Sequence, residues 1–212
     1  MTTLYLTRHG QTMWNLEKRL QGTQNSPLTE AGIMQAEDLR DRIKDIDVDI
    51  IYTSPLERAY KTAEIIKGDK EIPLLVNNGL MEINFGAWEG MTLEEIEGVE
   101  EYKEEYSKFF NTPSKYTPFK GESVSDFVHR IQHSIIDIIN ENRGKNILIV
   151  THGMTLKFLM TLFKSLDIDD IVSLPVMGQA ALTHIEVQDN EYKILLEDDR
   201  SHYRKEFITK GW

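Results

Sequence analysis

The chain has 212 residues, no cysteine, and a formal net charge of -11 at pH 7. The length fits a single domain, residues 1–212, with one sizeable insertion, and the missing cysteines exclude disulfides, cysteine-held zinc and a cysteine nucleophile. The acidic balance argues against nucleic acid or an anionic membrane as partner, and no stretch approaches the ~20 apolar residues of a membrane span. Because the chain enters an apolar segment without a basic flank, nothing reads as a signal peptide, and a cytoplasmic protein is expected.

Short apolar runs at residues 4–7, 49–53 and 73–76 read as strands, and 146–151 (Asn-Ile-Leu-Ile-Val-Thr) reads as a central strand covered on both faces. Between them, residues 30–46 have helical spacing at Ile33, Ala36, Leu39 and Ile43, and residues 55–67 form a second helix. For that second helix Ser54 is the expected cap, with Pro55 at the first position and Glu57 completing a capping box. Residues 92–110 read as two short helices broken near Gly98. Residues 123–142 carry one apolar stripe through Val124, Phe127, Val128, Ile131, Ile135, Ile138 and Ile139. A helix over 154–166 and two strands over 180–187 and 192–197, joined at Asp189–Asn190, close the chain. Strands alternating with helices predict an α/β fold: a mostly parallel sheet with helices on both faces and an antiparallel edge. In such folds the site lies beyond the carboxyl ends of the strands.

Three strand ends carry unusual polar residues. The first delivers Arg8, His9 and Gly10, then Asn15; the second Ser54, with Arg58 one turn later; the 146–151 strand delivers His152 and Gly153. A fourth segment places Glu82 among Met81, Ile83 and Phe85. Two arginines and two histidines in one crevice of an acidic protein suit phosphoryl transfer to nitrogen, where catalysis is mostly positioning and charge stabilisation. His9 is the expected nucleophile. Arg8 and Arg58 would hold the phosphoryl oxygens, with a protonated His152 as a third cation. Asn15 and the amides after Gly10 would be neutral donors. Glu82 would be the general acid, its proton affinity raised by apolar neighbours. A metal site using His9, His152 and Glu82 is the competing reading, disfavoured because Arg8 and Arg58 would repel the ion. His129 and His133 are read as a solvated helix face, Trp88 as packing, and Glu89 as surface.

These motifs, in this order, resemble the histidine phosphatase (phosphoglycerate mutase-like) superfamily. The resemblance rests on Leu-Thr-Arg-His-Gly-Gln-Thr at 6–12, Trp14-Asn15, Gln21-Gly22, Pro-Leu-Thr-Glu-Ala-Gly at 27–32, Thr-Ser-Pro-Leu-Glu-Arg-Ala at 53–59, Glu82 before Phe-Gly-Ala-Trp-Glu-Gly, Gly121-Glu122-Ser123 and Thr151-His152-Gly153. It implies a Rossmann-like three-layer sandwich with a small helical lid insertion over about 85–120. It also implies His9 as phosphohistidine nucleophile, Glu82 as proton donor, and Arg8, Arg58 and His152 around the phosphate, with Asn15, Gln21 and Gly153 as further substrate contacts. The adjacent arginine pair of glycolytic mutases is missing. Residues 90–121 hold only Lys103, Lys108, Lys115 and Lys120 as cations, beside the aromatic residues Tyr102, Tyr106, Phe109, Phe110, Tyr116 and Phe119. The expectation is therefore a metal-independent phosphatase of small organic phosphate esters, bulky or apolar ones included, without a cofactor. The alternatives are a mutase using 2,3-bisphosphoglycerate, or a phosphatase of α-ribazole phosphate or a sugar bisphosphate. The segment 205–212 is left open between packing over the site, packing against a second copy in a homodimer, and hanging free.

Overall fold

The computed structural model describes residues 1–189 and 191–204; Asn190 of the expected strand junction and the open segment 205–212 lie outside the described residues. Six strands form one sheet: β1 (Thr2–Arg8), β2 (Ile50–Thr53), β3 (Leu74–Val76), β4 (Asn146–Thr151), β5 (Leu182–Gln188) and β6 (Glu191–Asp199). Their spatial order is β3-β2-β4-β1-β5-β6. The first four run parallel, whereas β5 and β6 pair antiparallel at one edge.

Alternation along the central strands divides the core in two. Leu4 and Leu6 of β1 and Ile147 and Ile149 of β4 face one layer, while Tyr5, Leu148 and Val150 face the other. The first layer contains α6 (Val124–Glu141) and α7 (Gly153–Phe163); the second contains α2 (Glu30–Arg42) and α3 (Glu57–Lys67). Helix α6 buries Val124, Phe127, Ile131, Ile135 and Ile138, the face that the sequence stripe marks. Ser123 caps it by accepting the Asp126 amide at 3.1 Å. In α2 the buried face is Gly32, Gln35, Ala36 and Leu39, with Ile33 turned outward at 40% exposure, so Ile33 leaves the expected stripe.

Helix α3 starts later than its sequence signals indicate. Leu56, whose side chain offers no acceptor, holds the cap position, while the Ser54 hydroxyl accepts the Leu56 amide at 3.3 Å and lies 2.7 Å from His152 Nε2. A four-residue helix, α1 (Met13–Leu16), occupies what reads as loop; Thr12 and Asn15 close it with a reciprocal capping box.

The lid over 85–120 contains α4 (Leu93–Gly98) and α5 (Lys103–Asn111). It has its own centre: Trp88 is fully buried, with the rings of Tyr102, Tyr106, Phe109, Tyr116 and Phe119 at 5.2 to 6.4 Å. Edge-to-face contacts of this kind add to area burial and let a short insertion hold a shape. Among the described residues, no helix is long and apolar enough to cross a membrane.

Candidate active site

The carboxyl ends of β1, β2 and β4 meet on one side of the sheet, and the lid covers the crevice they leave. The resulting cavity, about 240 Å³, is lined at its floor by Arg8, His9, Asn15, Gln21, Gly22, Arg58, Glu82 and Gly153. Its outer wall is Leu20, Phe85, Leu93, Phe109, Phe110, Met154 and Val176, with Arg19 at the side. Of the residues expected to act in catalysis or to contact substrate (Arg8, His9, Asn15, Gln21, Arg58, Glu82, His152 and Gly153), His152 is the one absent from the lining. It is fully buried, with its ring 5.3 Å from that of His9.

His9 leaves β1 on a turn packed tightly against the start of α2. A Cβ on Gly10 would lie 2.3 Å from the Gly32 carbonyl oxygen, so only glycine fits there. His9 Nδ1 is 2.7 Å from the Gly10 carbonyl, which can only accept, so Nδ1 carries the proton and Nε2 keeps its lone pair. Burial, then the nearby Arg58 and Arg8 charges, hold the His9 pKa well below the usual histidine value. The imidazole is thus neutral, with its nucleophilic nitrogen unprotonated at neutral pH. Arg58 Nε donates to that nitrogen at 3.3 Å.

Arg8 and Arg58 are almost fully buried, and burial lowers both to about 10, which leaves them charged at neutral pH. Arg58 donates to the carbonyls of Gln24 at 2.6 Å and Gly22 at 2.7 Å. Arg8 donates to the Met177 carbonyl at 3.1 Å, while its Nε has no hydrogen-bond partner among the described residues. Gly153 lies against Arg8, and a Cβ there would sit 3.2 Å from the guanidinium. Asn15 uses Oδ1 to accept from the Thr12 amide and hydroxyl, so its amide nitrogen is the donor it offers the cavity.

Several expectations are corrected. The amides after Gly10 are not available to an anion: that of Gln11 donates to Gln35 Oε1 and that of Thr12 to Asn15 Oδ1. His152 is not a third cation in this state; burial first, and then Arg58, His9 and Arg8, depress its pKa well below the usual value. Glu82 does not sit in an apolar pocket. Its Oε1 accepts from the Ile83 and Thr155 amides and the Thr155 hydroxyl at 3.0 to 3.2 Å. Its Oε2 accepts only the Met154 amide, at 3.0 Å. The side chain therefore faces the N-terminus of α7, and Oε2 is the oxygen with room for a proton. Among the described residues, no cluster of three or more His, Asp or Glu side chains is placed to hold a metal ion.

Other functional side chains carry no motif of their own. Arg130 on α6 grips Glu122 with two 2.8 Å bonds and donates to the carbonyls of Gly79 and Met81, fixing the segment that bears Glu82. Glu89, read as surface, ties two cavity segments together by accepting from Thr23 and from the Phe85 amide. Of the lid aromatics, only Phe109 and Phe110 line the cavity; the others named from sequence pack around Trp88. His129 and His133 lie exposed on α6 with ring centres 4.0 Å apart.

A neutral histidine with an unprotonated ring nitrogen beside two buried arginines, with a carboxylate lining the same cavity, is an arrangement suited to phosphoryl transfer. The chain belongs to the histidine phosphatase superfamily, branch 1, whose family model matches residues 4–200. It is similar to the uncharacterized phosphatase PhoE of Bacillus subtilis, with 32% identity over 95% of this chain and 97% of that one. Among solved structures it is similar to YhfR of Bacillus stearothermophilus, with 41% identity, a TM-score of 0.90, and coverage of 95% of this chain and 99% of that one. It is also similar to a mutant phosphoserine phosphatase of Entamoeba histolytica bound to phosphoserine, at 33% identity and a TM-score of 0.82, covering 95% of this chain and 99% of that one. The protein is thus an enzyme of this superfamily, and its relatives carry the names of phosphatases and of probable phosphoglycerate mutases.

Proposed function

We propose that the protein hydrolyses phosphate monoesters whose alcohol portion is uncharged and largely apolar. The observation that carries this reading is the polarity of the cavity, cationic at its floor and apolar at its outer wall. Among its described lining residues, the one cation besides Arg8 and Arg58 is Arg19. Glu17 at 3.0 Å and Glu95 at 2.9 Å neutralise it, and it also donates to the Gly90 carbonyl. A phosphoglycerate mutase needs cations for the substrate carboxylate, and none is left uncommitted here. The lid lysine Lys108 is paired with Glu104 and Glu105.

In the first step His9 Nε2 attacks phosphorus, the P–O bond to the alcohol breaks, and Glu82 Oε2 gives the departing oxygen its proton. Arg8 and Arg58 hold the phosphoryl oxygens, and Arg58 shifts its Nε from the nucleophile to the incoming anion. The alcohol leaves past the apolar wall. Water then attacks the phosphohistidine, Glu82 recovers a proton, and inorganic phosphate departs with His9 neutral again. Asn15, Gln21 and Gly153 bound the phosphate subsite, and His152 supports His9 from behind. The side chains supply nucleophile, acid and charge, so the reaction needs no cofactor, and two buried guanidinium groups disfavour a divalent cation beside them. An acidic, cysteine-free chain suits a reducing cytoplasm.

Phosphorus NMR with 3-phosphoglycerate, trace 2,3-bisphosphoglycerate and several aryl and alkyl phosphates tests the reading. Release of inorganic phosphate, fastest from the uncharged apolar esters, is expected. Conversion of 3- to 2-phosphoglycerate with little free phosphate would overturn it in favour of a mutase.

A further inference from the structure

We propose that Glu89 is a positioning residue for phosphate binding, acting through the 21–24 turn on Arg58. The inference rests on the reading of Arg58 as a phosphate-binding cation. Glu89 does not line the cavity, yet its carboxylate is saturated by groups that do or that adjoin it. Its Oε1 accepts the Thr23 amide at 2.7 Å and the Phe85 amide at 3.2 Å, and the Thr23 hydroxyl lies 3.1 Å from both oxygens. The carboxylate also presses on the Gly22 backbone, where a Cβ would come within 2.0 Å of Oε1, and Gly22 has φ +50°. The turn thus takes its shape around this side chain.

That shape matters because the turn's outward-facing carbonyls, Gly22 O and Gln24 O, are the acceptors that orient the two terminal nitrogens of Arg58. Two fixed acceptors on a planar guanidinium set the direction of the third donor, Nε, which lies 3.3 Å from the attacking nitrogen of His9. Glu89 adds negative charge close enough to favour the charged form of Arg58. Through Phe85 it also anchors the turn to the segment that carries Glu82. The phosphate-holding and proton-donating halves of the cavity therefore share one half-buried strut. A merely structural carboxylate would stabilise the fold without tuning the anion site.

The test is the dissociation constant of inorganic phosphate, measured by calorimetry or phosphorus NMR for wild type, Glu89→Gln, Arg58→Ala and the double variant. Melting temperatures serve as the control for folding. Replacing a charged acceptor by a neutral one of the same shape should weaken phosphate roughly ten-fold. In the Arg58→Ala background the same change should add nearly nothing, the signature of one residue acting through the other. Thr23→Val, which keeps the amide and removes the hydroxyl, should give a smaller loss in the same direction and carries the test if Glu89→Gln does not fold. Unchanged phosphate affinity in a folded Glu89→Gln, or losses that simply add, would overturn the inference while leaving the hydrolase reading intact. Wild-type protein that does not bind phosphate would remove both.

Discussion

Lowering the pH from 7.5 to 5.5 should destabilise the fold through His9 and His152. Both are at most 2% exposed and held neutral, with pKa values well below the ordinary one, chiefly by burial and by the two arginines. In the unfolded chain each histidine titrates near its ordinary value of about 6.5. Between that value and its depressed folded value the unfolded state therefore binds more protons, and stability falls as pH falls. With one extra proton per histidine, the loss by pH 5.5 is about 1.4 kcal/mol each, or about 2.7 kcal/mol together. For a domain of this size that corresponds to roughly 5–11 °C in melting temperature. Urea unfolding at the two pH values, for wild type and for a His9→Asn/His152→Asn double variant, isolates the effect. Titration of the other groups is common to both proteins, so the pH-dependent difference should shrink by about 2.7 kcal/mol in the variant. An identical pH dependence would show that these histidines are not held neutral, and the argument for an unprotonated nucleophile would fail.

Glu82→Gln should slow alkyl phosphates, which need a protonated leaving group, far more than nitrophenyl phosphate; equal losses in steady-state rates would remove Glu82 from the acid role. Glu95→Gln keeps an acceptor at the cap of α4 but leaves Arg19 less neutralised. It should raise kcat/KM for phosphoserine several-fold relative to phenyl phosphate, and an unchanged ratio would refute charge compensation as the basis of selectivity. Activity should persist in excess chelator after dialysis, and its loss with recovery on adding a divalent cation would contradict the metal-free reading.

The architecture was legible because its signals are local. The continuous apolar run of β4 marks a strand covered on both faces, and the stripe on α6 specifies its buried face, by residue type alone. The ends of those strands, with Arg8, His9 and His152, stood out because charged groups rarely follow apolar runs without a use. What sequence could not show were the partners. Ser54 reads as a helix cap, yet its hydroxyl is 2.7 Å from His152, a residue 98 positions away. Glu82 reads as desolvated because Met81, Ile83 and Phe85 flank it, but the N-terminus of α7 supplies its donors from across the cavity. Glu89 and Arg130 look like ordinary surface charges because several of their partners are backbone amides and carbonyls, which carry no sequence signature, and the others lie far along the chain or give no local signal. Likewise, the lid aromatics were visible as a group. Only the fold shows that Phe109 and Phe110 reach the cavity, Phe109 while also packing on Trp88, whereas Tyr102, Tyr106, Tyr116 and Phe119 do not line it.

The central claim, attack by His9, is tested most directly by trapping the intermediate. Wild type and His9→Ala would be mixed with a labelled phosphate ester, quenched in alkali within the first turnover, and assayed for protein-bound phosphate. The account predicts alkali-stable, acid-labile label on the wild type at up to one per chain, and neither label nor turnover in His9→Ala. Undiminished turnover in His9→Ala, or label retained on it, would contradict the account.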